Sequence, residues 1–256
     1  MSFEIGVLLA AIARNTKVEG SAMCRMILAT GTFDPRRIVD AAVSMATGST
    51  ADHEAWFPDH PNGWGAIWHD PTTSTRISAL RDIRPIADSE RRSELSSLKT
   101  GFLAIHVRRA MPPTLIGLEF THPLQREADD WLFMHNGSQP TVHRMLGRSE
   151  SVFDSAEYFD YLIPACATEL EPDETVRRLQ EIPEPGGNSG NAIAARGDRA
   201  YLIHWRSPND TWPNYFTMQE LRTPKARIIS SEVIPWLAPR REWQPVAPQS
   251  VLELSF

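Results

Sequence analysis

Two kinds of hydrophobic pattern share this chain. The first is a short apolar run of strand length with few polar interruptions. It occurs at 23–31 (Met-Cys-Arg-Met-Ile-Leu-Ala-Thr-Gly), 102–107 (Phe-Leu-Ala-Ile-His-Val) and 131–135 (Trp-Leu-Phe-Met-His). Such runs predict strands buried on both faces or nearly so. The second pattern has helical spacing. Ile38, Val39, Ala42, Val43 and Ala46 fall on one face of a helix that Asp34 caps, Pro35 opens and Gly48 closes. Asp154 to Ala167 predicts a second helix with an aromatic stripe (Tyr158, Phe159, Tyr161, Leu162), bent or ended near Pro164. Pro172 to Ile182 predicts a third, whose Asp173 and Glu174 suit its N-terminal dipole. Ser89 to Ser97 predicts a short polar one.

Further strands are predicted at 62–68, where Gly63 and Gly65 suit a close backbone approach, and at 215–221 and 227–231. Asn191–Ala195 and Arg199–Trp205 flank Gly197-Asp198 as a hairpin. Strands, then a helical pair, then strands again favour an α+β layering over a doubly wound parallel sheet.

Composition narrows the function classes. A chain of 256 residues, 41% hydrophobic, suits one large domain or two small ones with a sizeable core. A net charge of −6 argues against a general nucleic-acid binder. The only two cysteines, Cys24 and Cys166, exclude a disulfide framework and fit a reducing, cytoplasmic setting. Cys166 falls on the apolar second helix and reads as inert packing. No apolar stretch is long enough to span a membrane. The spacing of His53, His60 and His69 is irregular for zinc, and nothing calls for a metal or a cofactor.

The N-terminal segment stands apart. Ile5 to Ala13 is apolar, yet Glu4 precedes it where a signal peptide would carry positive charge. Residues 1–23 are therefore expected to be a removed leader or a misassigned start at Met1. The functional domain is then 24–256.

That expectation matters because Cys24 is the candidate nucleophile. A cysteine hydrolase needs a base for its thiol, and an N-terminal cysteine can use its own α-amine. The reference pKa of an α-amine, about 7.7–8, lies near operating pH. A peptide nitrogen has its lone pair delocalised and cannot serve. A fixed cation at Arg108 and a polar Asn136-Gly137 pair, each ending an apolar run, complete a plausible constellation from three strands. On residue pattern alone, Asn136-Gly137 also reads as a turn. His106 and His135 read as hydrogen-bonded core histidines.

The segments Met-Cys-Arg-Met, Asn-Gly-Trp-Gly-Ala-Ile-Trp, Ala-Ile-His-Val-Arg-Arg-Ala, Thr-His-Pro-Leu, Phe-Met-His-Asn-Gly and Ile-Ser-Ser-Glu-Val follow one another from Met23 to about Pro235. In this order they resemble the class II glutamine amidotransferases. The likeness is greatest to the stand-alone subgroup that includes the ergothioneine-pathway γ-glutamyl hydrolase. The resemblance implies an N-terminal nucleophile (Ntn) hydrolase: a four-layer αββα sandwich of two antiparallel sheets between helical layers. It implies cleavage of glutamine or a γ-glutamyl amide through a γ-glutamyl thioester. Cys24 would be the nucleophile, and the Asn136 side chain and Gly137 N–H the oxyanion hole. Arg108 would clamp the substrate α-carboxylate, with His106 beside it. Asp154 would receive the α-amine, although aligning on Glu157 places Ser155 there instead. Met111 stands where the family usually has Thr. The ammonia acceptor would be water or sit on a separate synthase subunit, and a homo-oligomer is equally compatible. The competing reading is a catalytically silent Ntn-fold binding or regulatory subunit.

Overall fold

The computed structural model describes residues 23–110, 115–126, 129–183, 189–207 and 212–256. Its first sheet contains β1 (Met23–Gly31), β2 (Trp64–His69), β3 (Ile77–Asp82), β4 (Phe102–Arg109), β9 (Gln219–Arg222), β10 (Ala226–Ser230) and β11 (Trp243–Pro245). The order is β11-β9-β10-β1-β4-β2-β3. The second contains β5 (Leu124–Gln125), β6 (Leu132–Ser138), β7 (Ser189–Arg196), β8 (Arg199–His204) and β12 (Ser250–Ser255), in the order β12-β8-β7-β6-β5. The described strand pairs are antiparallel. The helices are α1 (Pro35–Ala46), α2 (Arg92–Ser96), α3 (Asp154–Leu162), α4 (Pro172–Glu181) and α5 (Pro213–Phe216).

Side-chain alternation sorts the core into three layers. Met26 and Leu28 of β1, with Phe102 and Ala104 of β4, pack against Leu132 and Met134 of β6 and Ile193 of β7. That apolar layer joins the two sheets. The alternate residues Ile27, Ala29, Leu103 and Ile105 pack instead under Ile38, Val39 and Ala42 of α1 and Leu95 of α2. On the far side, Phe133, Ala192 and Ala194 pack under Tyr158, Phe159 and Leu162 of α3 and Leu179 of α4. Helix, sheet, sheet, helix is the αββα order that the resemblance implies. Strands buried on both faces explain why β1, β4 and β6 read as nearly unbroken apolar runs.

Local signals account for most boundaries. Asp34 caps α1 through its side chain, accepting the Arg36 N–H at 3.0 Å, with Pro35 in the first turn. The strand expected over 215–221 is instead the turn of α5 followed by β9. Pro213 opens the helical turn, and Tyr215 and Phe216 are buried by it. The second predicted helix stops at Leu162 because Ile163, preceding Pro164, is held extended. Cys166 therefore lies beyond the helix, exposed and at φ 66°, and the expectation of inert packing is corrected.

Candidate active site

Strand register builds the site. In the β1–β4 ladder Cys24 lies opposite Arg108, and Met26 lies opposite His106. Directly opposed residues share a face, and so do residues two apart on one strand. Since Met26 points into the layer between the sheets, Cys24, His106 and Arg108 do too. On β6 the same parity carries Asn136 in behind Met134. The Cys24 backbone N–H donates to Asn136 Oδ1 at 3.1 Å, so the two sheets meet at the candidate nucleophile.

Asn136 and Gly137 lie inside β6, paired with Asn191 and Gly190 of β7, and do not form a turn. Gly137 has φ 152°, and a Cβ there would sit 1.9 Å from the Ser189 carbonyl oxygen. No other residue fits this position. Gly65 has the same kind of role, because a Cβ there would meet the His122 carbonyl oxygen at 2.1 Å.

Several donors at this end of the sandwich are buried with nothing to donate to. Arg108 is 0% exposed, and its Nε, Nη1 and Nη2 all lack a hydrogen-bond partner. Asn136 Nδ2 lacks one as well, its Oδ1 being held by Cys24. A buried donor left unmade costs about 1–3 kcal/mol, more when charged, so such groups cluster where a ligand binds. Burial pulls the Arg108 pKa below its ordinary value, against the opposing pull of Cys24 and Asp154.

Asp154 is the first residue of α3, and Phe153 occupies the cap position. The Asp154 carboxylate accepts the Gln139 backbone N–H at 2.8 Å, just past the end of β6. Its charge acts on both Cys24 and Arg108. Ser155 turns the other way, its hydroxyl 2.9 Å from His135 Nδ1 and fully buried.

The sulfur is protonated at neutral pH. Burial pushes the Cys24 thiol up to about 11, opposed chiefly by Arg108. The nearby histidines are poor bases for it. His106 donates from Nε2 to the His135 carbonyl at 3.0 Å, and burial pushes its pKa down to about 3. His135 is engaged through both ring nitrogens, by Ser155 and by the Ser189 carbonyl. His122 packs on the His106 ring with centroids 4.4 Å apart, and burial holds it neutral.

Tyr215 carries no signal in the sequence, yet it touches the nucleophile. Its hydroxyl donates to the Cys24 carbonyl at 3.1 Å, and His60 Nε2 lies 2.9 Å from that hydroxyl's own oxygen. Its ring lies under the Arg25 guanidinium at 3.7 Å. Arg25 donates to the Tyr215 and Ser231 carbonyls and pairs with Glu232. Arg25 and Glu232 fall in two of the quoted segments, but nothing local ties either to Tyr215. Met111 and residues 1–22 lie outside the described residues.

Among the described residues no helix is long and apolar enough to cross a membrane, and no three His, Cys, Asp or Glu side chains cluster as metal ligands. No curated protein sequence matches the chain. Among solved structures it is similar to the glutamine phosphoribosylpyrophosphate amidotransferase of B. subtilis complexed with ADP and GMP. The TM-score is 0.61 at 16% identity, over 91% of this chain and 47% of that one. A structure described as the allosteric regulatory enzyme of purine biosynthesis gives 0.64 at 16% identity, over 91% and 47%. A glutamine aminotransferase class-II domain protein from Silicibacter pomeroyi gives 0.50 at 13% identity, over 91% and 99%. The chain spans about half the length of the first two, and at these identities the likeness is one of fold. A family model for class-II glutamine amidotransferases matches residues 37–202, more than half the chain but starting after β1. These comparisons reach the family and not the ergothioneine-pathway subgroup: the chain belongs to the class-II glutamine amidotransferases.

Proposed function

We propose that this protein hydrolyses the side-chain amide of glutamine or a γ-glutamyl compound through a thioester on Cys24, and that its functional chain begins at that residue. The carrying observation is the Arg108 guanidinium, buried beside Cys24 with all three nitrogens unpartnered. Such a group is suited to a bidentate carboxylate, and a γ-glutamyl substrate offers its α-carboxylate. Asp154 then receives the α-ammonium.

The chemistry follows from the electrostatics. A thiol with a pKa of about 11 needs a base, and burial lowers the pKa of the histidines nearest it, His106, His122 and His135. A free Cys24 amine would take the thiol proton as sulfur attacks the γ-carbonyl carbon. Asn136 Nδ2 and the Gly137 N–H hold the oxyanion, on the order of 2.7–4 kcal/mol for a donor of this kind. The departing nitrogen takes the proton back from the Cys24 ammonium as the C–N bond breaks. Water then hydrolyses the thioester to glutamate. Release of the nitrogen to water and its transfer on a separate synthase subunit both begin with this thioester.

The test measures ammonia and glutamate release from glutamine and γ-glutamyl amides by protein whose first residue is Cys24. Turnover is expected, and Cys24→Ala abolishes it. Equal turnover in Cys24→Ala, or full turnover with Met23 still attached, sinks the mechanism. The silent-subunit reading draws on one observation, the buried and protonated thiol behind a peptide nitrogen. It predicts glutamine binding without any Cys24-dependent product.

A further inference from the structure

Met23 is fully buried where β1 begins, in a nest of aromatic rings. Phe57, Tyr215 and Phe216 are buried around it, and Trp212 packs on the same cluster, partly exposed. The rings brace one another: Phe57 meets Trp212 at 5.9 Å and Tyr215 at 5.8 Å, centroid to centroid. The nest touches the nucleophile, because the Tyr215 hydroxyl holds the Cys24 carbonyl. Polar atoms border it as well: both His53 ring nitrogens are buried and unpartnered, with that ring edge-on to Tyr215 at 4.8 Å.

We infer that this nest is the subsite for the leaving amine, and that the preferred substrate is a γ-glutamyl amide of an apolar or aromatic amine rather than glutamine itself. The inference rests on the proposed N-terminal Cys24 mechanism and adds the leaving-group side to it. The geometry is fixed by one proton. It passes from the thiol to the Cys24 nitrogen as the carbon–sulfur bond forms, and from there to the departing nitrogen as the C–N bond breaks. The departing nitrogen must therefore lie within hydrogen-bond reach of the Cys24 nitrogen. Met23 is bonded to that nitrogen, and its side chain turns to the helical side of β1 as Arg25 does. The space it fills therefore begins one residue from the leaving group and runs behind the strand end, on the face opposite the sulfur. The γ-glutamyl half is drawn the other way, toward Arg108 and Asp154. A departing ammonia has no carbon to place among four aromatic rings, whereas an apolar amine buries its carbons there.

The test uses protein from its native host, with its first residue identified by sequencing. Its kcat/KM is measured for glutamine, γ-glutamyl methylamide and γ-glutamyl anilide. The anilide is expected to exceed glutamine by at least tenfold, about 1.4 kcal/mol. Trp212→Ala, at a partly exposed ring, should shrink that ratio several-fold, and Phe57→Leu should do the same. The thermal unfolding midpoint reports folding in both variants. Cys24-dependent glutamine turnover with no preference for the anilide overturns the subsite and leaves the hydrolase reading intact. A preference that survives both variants also overturns it. A first residue other than Cys24, or no Cys24-dependent turnover on any of the three, overturns both.

Discussion

Arg25 and Arg108 are both fully buried on neighbouring strands of one sheet, and they are treated in opposite ways. Arg25 points to the helical side. Its Nη1 donates to two backbone carbonyls, its Nε pairs with Glu232 at 3.2 Å and its guanidinium lies on the Tyr215 ring, leaving only Nη2 without a polar partner. Arg108 points between the sheets and has no hydrogen-bond partner at all. A buried charge costs several kcal/mol unless it is compensated, so a fold has no structural reason to keep the second arrangement. The contrast separates a cation that holds the sheet together from one kept for a ligand.

The largest expected effect comes from breaking the satisfied partner. Arg25→Met leaves Glu232 buried without its cation and should lower stability by about 3–5 kcal/mol, read as a large drop in the denaturation midpoint. Arg108→Met should do the reverse, leaving stability equal or higher while kcat/KM for glutamine falls on the order of 2–5 kcal/mol, some 30-fold or more. Unfolding and kinetics measured on both variants decide the matter. If Arg108→Met destabilises as much as Arg25→Met, the division between the two arginines is wrong.

The next effect is a pH dependence. The Cys24 thiol is raised from 9.0 to about 11 by burial, so the folded state holds its proton more tightly than the unfolded one. The sign follows from that: the contribution is complete below pH 9 and is lost as pH rises through 11. About 2–3 kcal/mol should disappear across that window. Cys24→Ser removes the titration, so the stability of the wild type relative to the variant should fall by that amount there. Parallel curves would show that the sulfur is not buried as described.

The same contrast explains what the chain discloses about itself. β1, β4 and β6 are legible because a strand buried on both faces has few polar positions to blur the run. α1 is legible because Asp34, Pro35 and an apolar stripe agree. β3 and β12 were not, since their exposed alternate residues break the run into pieces too short to count. In the site, Cys24, Arg108 and Asn136 stand out as polar residues at the ends of apolar runs. Asp154 and Ser155 could not be separated by spacing, because a helix start turns adjacent side chains about 100° apart and only the packing against His135 shows which faces inward. Tyr215 was invisible for a different reason. Its partner is a backbone carbonyl, which carries no residue identity, and the contact joins segments at opposite ends of the chain.

That contact sets the smallest of the predicted effects and the one that sharpens the comparison most. Arg25 lies on the Tyr215 ring, and the Tyr215 hydroxyl holds the carbonyl of the nucleophile, so the satisfied cation supports the site without touching substrate. Tyr215→Phe keeps the ring under the guanidinium and removes only the hydroxyl. The lost hydrogen bond should cost about 0.5–1.5 kcal/mol of stability. If the bond also fixes the direction in which Cys24 presents its nitrogen and sulfur, kcat falls by roughly tenfold while KM stays put, because Arg108 and Asp154 still bind the γ-glutamyl half. Tyr215→Leu removes the stacked ring as well and should add a stability loss without a further change in KM for glutamine. A Tyr215→Phe protein with reduced stability and unchanged kcat would confine Tyr215 to packing, and would confine Arg25 with it.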